Sequence, residues 1–130
     1  MRLLFDTHLL LWFTAGDARF TAQAREMLGD VRNEPLFSSI SIWEIGIKQA
    51  AGRPDFRWDA KEVETTLRRA GWGELPFNAL HAQHAAALPL YHRDPFDRAL
   101  IGQAISETVT LLTVDTTLTR YPGPILLVYP

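Results

Sequence analysis

Short unbroken apolar runs alternate along the chain with longer stretches of helical spacing, and that alternation sets the expected fold. Arg2-Leu3-Leu4-Phe5 has the pattern of a strand buried on both faces of a parallel sheet, and it ends at Asp6-Thr7. His8 to Ala15 reads as a short helix in which Leu9, Leu10, Leu11, Trp12 and Phe13 are consecutive, too apolar for a helix with one solvated face. Part of it is therefore expected to meet a partner subunit. Thr21 can cap a second helix running to about Leu28, with Gly29-Asp30 closing it. Pro35 to Ser39 reads as a second strand. Ser41-Ile42-Trp43-Glu44 has capping-box spacing and opens a helix that Gly52-Arg53-Pro54 stops.

Asp59-Ala60-Lys61-Glu62 repeats that spacing and opens a helix carrying Val63 and Leu67, ending near Gly71. Glu74 to Phe77 makes a third strand, and Asn78 can cap a helix from Ala79 to about Leu88, before Pro89. Asp94-Pro95 starts a further helix with Phe96, Ala99, Leu100 and Ala104 mostly on one face. Thr110 to Val114 and Ile125 to Tyr129 read as the last two strands. Strands and helices alternating from end to end predict an α/β fold, a central parallel sheet with helices on both faces.

Composition narrows the function classes. With 130 residues and no recognisable linker, the chain is expected to form one domain, residues 1–130. Apolar residues at 47% and charged residues at 22% lie far from the signature of disorder. A formal charge of −2 removes any global pull toward nucleic acid or anionic membrane, so charge-driven binding must be local. The absence of cysteine removes disulfides, thiolate zinc sites and cysteine nucleophiles together. Any metal must be held by oxygen or imidazole. No apolar run approaches the ~18 residues of a membrane span, and Asp6 interrupts the place where a signal peptide's apolar region would sit. A soluble, cytoplasmic protein without membrane contact is expected.

Ligands of open parallel sheets bind beyond the carboxyl ends of the strands, above all where the strand order reverses. Asp6 follows the first strand, Asp115 follows the fourth, Glu44 opens the helix after the second, and Asp97 lies in the first turn of the helix leading to the fourth. All four fall at that rim. Each acid taken singly has a bland explanation, because helix N-termini favour carboxylates as caps; Ser41 with Glu44 and Asp94 with Pro95 both fit that role. Taken together, clustered like charges raise one another's pKa and need compensation, which a divalent cation supplies. Oxygen ligands without thiolate favour Mg²⁺ or Mn²⁺. Two such ions about 3.5–4 Å apart can activate a water and stabilise the leaving oxygen of a phosphodiester. Metal-assisted phosphodiester hydrolysis is the chemistry this pattern favours.

The segments Leu4-Phe5-Asp6-Thr7-His8, Ser41-Ile42-Trp43-Glu44-Ile45, His92-Arg93-Asp94-Pro95-Phe96-Asp97-Arg98 and Leu111-Leu112-Thr113-Val114-Asp115 recur in the order of the PIN-domain nucleases. The chain resembles that family over nearly its whole length, and within it the VapC-type toxins of bacterial toxin-antitoxin pairs; His92 to Arg98 is the most specific part. The resemblance implies a PIN-like three-layer sandwich and a Mg²⁺- or Mn²⁺-dependent endoribonuclease restrained by a cognate antitoxin. It assigns catalysis to Asp6, Glu44, Asp97 and Asp115, with Asp6, Asp97 and Asp115 as metal ligands. It also implies a hydroxyl near the metal, for which Thr7 and Thr113 are candidates, Thr113 sharing a strand side with Asp115. An ordinary sheet threonine is the competing account of Thr113.

Arg93 and Arg98 flank Asp97 and are candidate RNA contacts; Arg68, Arg69 and Arg120 would extend the track. Arg98 has an alternative as a partner of Asp94 one turn earlier. Asp94 is explained by its cap role alone, and His8 reads either as a packed side chain or as a substrate contact. His81 and His84 share a helix face, but nothing completes a zinc set around them. The four tryptophans fit core packing or an oligomer contact better than base stacking. A homodimer that also binds an antitoxin is the expected assembly. The competing function keeps the fold but makes the protein a non-catalytic module whose acidic pocket captures a basic partner peptide. A phosphoryl-accepting receiver domain fits less well, since the only lysines are Lys48 and Lys61.

Overall fold

The computed structural model describes residues 1–129. Its elements run β1 (Arg2–Phe5), α1 (Thr7–Ala15), α2 (Ala22–Gly29), β2 (Glu34–Ser38), α3 (Ser39–Ala50), α4 (Ala60–Arg69) and β3 (Gly73–Leu75). There follow α5 (Ala79–Ala86), α6 (Pro95–Glu107), β4 (Thr110–Thr113), a 3-10 turn at Thr116–Arg120 and β5 (Ile125–Leu127). The strands form one sheet in the order β3-β2-β1-β4-β5, every neighbouring pair parallel. Sequential strands build outward from β1 to β3, then the chain returns to place β4 on the other side of β1. The order reverses between β1 and β4, which is where a doubly wound sheet opens a crevice.

The sheet divides the core because successive strand residues point to opposite faces. Leu3, Phe5, Phe37 and Leu112 enter one buried cluster, with Leu9 to Leu11 of α1, Ile45 of α3, Val63 and Leu67 of α4, and Trp72. Leu4, Leu36 and Leu111 enter the other, with Leu100, Ile101 and Ala104 of α6. Helices thus cover both faces of a three-layer α/β sandwich. Gly102 sets the spacing of α5 on α6: a Cβ there would lie 2.6 Å from the His81 carbonyl and 2.8 Å from the Ala85 amide. Only glycine permits that approach.

Several expected elements are shifted. α3 is capped by Ser38, whose hydroxyl accepts from the Ile40 amide, and not by Ser41. Glu44 consequently sits in the second turn of α3, too far into the helix to form a capping box. The strand expected to begin at Pro35 begins at Glu34 and ends at Ser38, where its parallel pairing with β3 runs out. The third strand is Gly73–Leu75 and stops short of Phe77, whose amide donates to Ser39 Oγ. The last strand ends at Leu127, and the 3-10 turn has no counterpart among the expected elements. The apolar helix α1 is covered in part by its own chain: Leu9, Leu10 and Leu11 are buried and Phe13 packs on Trp72 and Phe20, while Trp12 stays half-buried. No helix among the described residues is long and apolar enough to cross a membrane.

Candidate functional site

Asp6 leaves the central strand at the reversal point and does two jobs. Its Oδ1 accepts from the Leu9 amide at 2.9 Å, capping α1, and its Oδ2 accepts from the Thr113 hydroxyl at 2.6 Å. It is 2% exposed, and burial raises its pKa above the ordinary carboxylate value despite those hydrogen bonds and the nearby His8. The Thr113 hydroxyl in turn accepts from the Asp115 amide at 3.0 Å, so one buried threonine joins the ends of β1 and β4. Asp115 caps the 3-10 turn through the Thr117 amide. Thr7 donates not to an acid but to Ser41 Oγ at 2.9 Å, in the buried contact between the starts of α1 and α3.

The second half of the site comes from the start of α6. Asp94 caps that helix through the Phe96 amide, Pro95 occupies its first position, and Asp97 follows in the first turn. Asp97 has its pKa pushed up to about 6, first by burial and then by the charge of Asp94. His92 pulls in the opposite direction, while the charges of Asp6 and Glu44 push it further up. Charges from two distant segments, at Asp6 and Glu44, therefore act on one carboxylate. His92 places Nε2 2.8 Å from Asp97 Oδ2 and 3.9 Å from Asp115 Oδ2. Ligand atoms of His92, Asp94 and Asp97 lie within 4.8 Å of one another. The loop bearing His92 is anchored by Tyr121, whose hydroxyl accepts from the His92 amide at 2.7 Å.

Glu44 is 3% exposed, and its Oε2 accepts from Lys48 Nζ at 2.8 Å. Its Oε1 is buried with no hydrogen-bond partner. Sequence reasoning assumed acids without basic partners; Lys48 and His92 correct that. Lys48 was legible as the residue one helical turn after Glu44. His92 stood in the motif, but its loop carries no periodicity that would aim it.

The donors fit a divalent cation. They are carboxylates and an imidazole without thiolate, two of the acids are held above their ordinary pKa, and one buried carboxylate oxygen has no partner. Asp6, Asp97 and Asp115 are the expected holders, with His92 beside the last two.

The remaining candidates separate. Arg93 is exposed on the loop beside His92. Arg98, expected as a phosphate contact or a partner of Asp94, instead directs its guanidinium to the carbonyls of Ala85, Leu88 and Pro89 and so closes the end of α5. Arg68 pairs with Glu64 and Glu74, and Arg120 lies over the Tyr91 ring. His81 is structural: it completes the capping box of α5 and meets Glu107 at 2.8 Å. Trp72 is core, whereas Trp43 is 61% exposed against Phe96.

A parallel sheet with carboxylates converging at its reversal point defines an α/β protein with an acidic, cation-fitted centre. The sequence matches the PIN domain over residues 3–124, and the chain belongs to that family. Among solved structures it is similar to a chain of VapBC2 from Rickettsia felis bound to a DNA fragment from their promoter, with a TM-score of 0.72 and 14% identity. That match covers 99% of this chain and 100% of the other. It is also similar to a chain of DNA-bound VapBC from Salmonella typhimurium (TM-score 0.65, 18% identity, 97% of each chain covered). VapBC-1 from nontypeable Haemophilus influenzae gives a TM-score of 0.65 at 18% identity, covering 92% of this chain and 91% of that one. Comparison with curated proteins gives no match.

Proposed function

We propose that the chain is a VapC-type toxin, a metal-dependent endoribonuclease that hydrolyses RNA phosphodiester bonds in the cytoplasm and is restrained by a cognate antitoxin. The observation that carries this reading is the convergence on Asp97: a carboxylate raised to about 6 by burial and by the charges of Asp94, Asp6 and Glu44. Such an arrangement opposes the folded state unless a cation is bound there. Bound Mg²⁺ or Mn²⁺ supplies charge neutralisation for the phosphoryl oxygens and a more acidic water. Asp6, Asp97 and Asp115 hold the ion. Glu44, fixed through Oε2 by Lys48, keeps Oε1 to accept a hydrogen bond from water. His92 holds Asp97 and Asp115 in register, Thr113 orients Asp6, and Arg93 meets the RNA backbone.

The antitoxin partner is supported by the VapBC complexes among the structural relatives. A homodimer is supported by Trp43 and Ile47, exposed on one face of α3. Purified antitoxin-free protein is expected to cut single-stranded RNA with Mg²⁺ or Mn²⁺ and to lose that activity with chelator. Protein that binds a basic peptide whatever the metal and never cuts RNA would overturn this reading in favour of a non-catalytic module.

A further inference from the structure

Three side chains of α3, Ser41, Glu44 and Lys48, share one face at spacings of three and four residues. Thr7 Oγ1 donates to Ser41 Oγ at 2.9 Å, and Thr7 directly follows Asp6, so this face of α3 is fixed against the start of α1. A second contact registers α3 on α6. The Trp43 ring meets Phe96 edge-on with centroids 5.4 Å apart, Trp43 being the neighbour of Glu44 and Phe96 that of Asp97. The Glu44 carboxylate is thereby held at the acidic centre, and its charge is felt at Asp97.

Lys48 is not an ordinary surface partner. In an exposed pair at this spacing both ends are solvated and the contact contributes little. Here the Glu44 side chain is 4% exposed and that of Lys48 45%, so an ammonium entering from the solvent side rests on a carboxylate almost closed to water, with Nζ 2.8 Å from Oε2. Removing it would leave a buried, unpaired charge. Among the described residues it is also the single lysine or arginine that pairs with an acid of the centre. His92 serves Asp97 and Asp115, while Arg98 is engaged by the carbonyls that end α5.

The acids of the centre therefore divide. Asp6, Asp97 and Asp115 have no lysine or arginine and call for a divalent ion, whereas Glu44 already has its counter-charge. A second divalent ion drawn to Glu44 would face the ammonium at close range, with twice the repulsion that a monovalent ion would meet. Glu44 Oε1 has no partner, so the carboxylate keeps one acceptor although its charge is neutralised. Hydrogen bonding stays open to it, and cation binding is opposed.

We infer that Lys48 stands in for a second cation: by neutralising Glu44 it limits the acidic centre to one divalent ion. The inference rests on the metal-dependent reading above and deepens it, setting the number of ions and making Lys48 a positioning residue for Glu44.

The test is a titration of the metal-free protein with Mn²⁺, the free ion being counted by its electron paramagnetic resonance signal. Wild type is expected to take up one ion per chain. Lys48→Met keeps the stem and removes the charge, and should bind a second ion about a hundredfold more tightly than wild type does, as for lifting one unit of repulsion from a divalent ion a few ångströms away. Lys48→Arg should restore the count of one, and so should Lys48→Met combined with Glu44→Gln, which removes the freed carboxylate. If Lys48→Met fails to fold, Lys48→Gln carries the test, since its neutral amide can still donate to Glu44. A wild type that binds two ions with similar affinity overturns the inference without any variant. Wild type that binds none, or a folded charge-free variant that still binds only one, overturns it as well. A wild type that binds one ion, gains a second on loss of the charge and yet cuts no RNA overturns the nuclease reading and leaves the assignment of Lys48 standing.

Discussion

Asp6 and Asp97 are both buried carboxylates pushed above their ordinary range, but they are held in different ways. Asp6 sits at the end of the central strand, with one oxygen on the Leu9 amide and the other on the Thr113 hydroxyl. Its position is set by the sheet itself. Asp97 sits at the start of α6 beside another acid, and its side-chain partner is an imidazole on a loop. One half of the centre is thus built into the framework, and the other is carried by a helix end whose placement depends on how α6 seats on α5.

The sharpest way to test the fixed half is Asp6→Asn. The amide still accepts from Leu9, so the cap persists, but the charge is gone. RNA cleavage is expected to fall by at least about a hundredfold, the size of losing a charge-stabilising group at a reacting centre. The melting temperature of the metal-free protein should hold or rise, because an ion no longer has to be buried. Parallel activity assays and thermal melts separate these effects; a cooperative loss of folding would show that Asp6 acts through stability.

The carried half is broken from a distance by Gly102→Ala. The new Cβ meets two backbone atoms of α5 that cannot turn aside, His81 O and Ala85 N. A loss of about 2–3 kcal/mol in urea unfolding is expected, at the upper end of overpacking costs. Cleavage should fall with it as α6 shifts and takes Asp97 along. Unchanged stability would mean that the helices slide freely and that Asp97 is no better fixed than its loop.

A third test is a slope with pH. Asp97 has a folded pKa of about 6 against an ordinary 3.8, so the protonated form favours the fold. That contribution is complete below about 3.8 and is lost as pH rises through about 6. Metal-free wild type should lose roughly 2–3 kcal/mol relative to Asp97→Asn across this window, at about 1.4 kcal/mol per unit. Melts of both proteins at the two ends measure it, and added Mg²⁺ should flatten the difference. Equal slopes would remove the electrostatic argument for a cation.

How far the sequence disclosed this arrangement depended on whether the signal was local. β1 and β4 are unbroken apolar runs that each end at an acid, and Asp94-Pro95 marks a helix start by two independent preferences. These placed Asp6, Asp115 and Asp97 at one rim. Ser38, Ser39 and Ser41 are all hydroxyl residues at one helix start, and only the end of strand pairing selects Ser38 as the cap. The consecutive leucines of α1 suggested a partner because a single chain shows no third layer; in the fold they are shared between the sheet and α4. Arg98 looked available for phosphate because the carbonyls it closes belong to a different helix. The pairing of His92 with Asp97 is likewise a property of loop closure, fixed by Tyr121 from far along the chain.

Thr113 has a single proton, and the direction of its bonds decides where that proton points. Since its oxygen receives the Asp115 amide, the hydrogen must go to Asp6, which therefore meets a donor at each oxygen. A neutral Asp6 would have to turn its own hydrogen away from both donors, toward the crevice between β1 and β4. The framework thus selects the orbitals left over: an ionised Asp6 turns only lone pairs to the crevice, a neutral one its hydrogen, and Thr113→Val would remove the donor that sets this polarity.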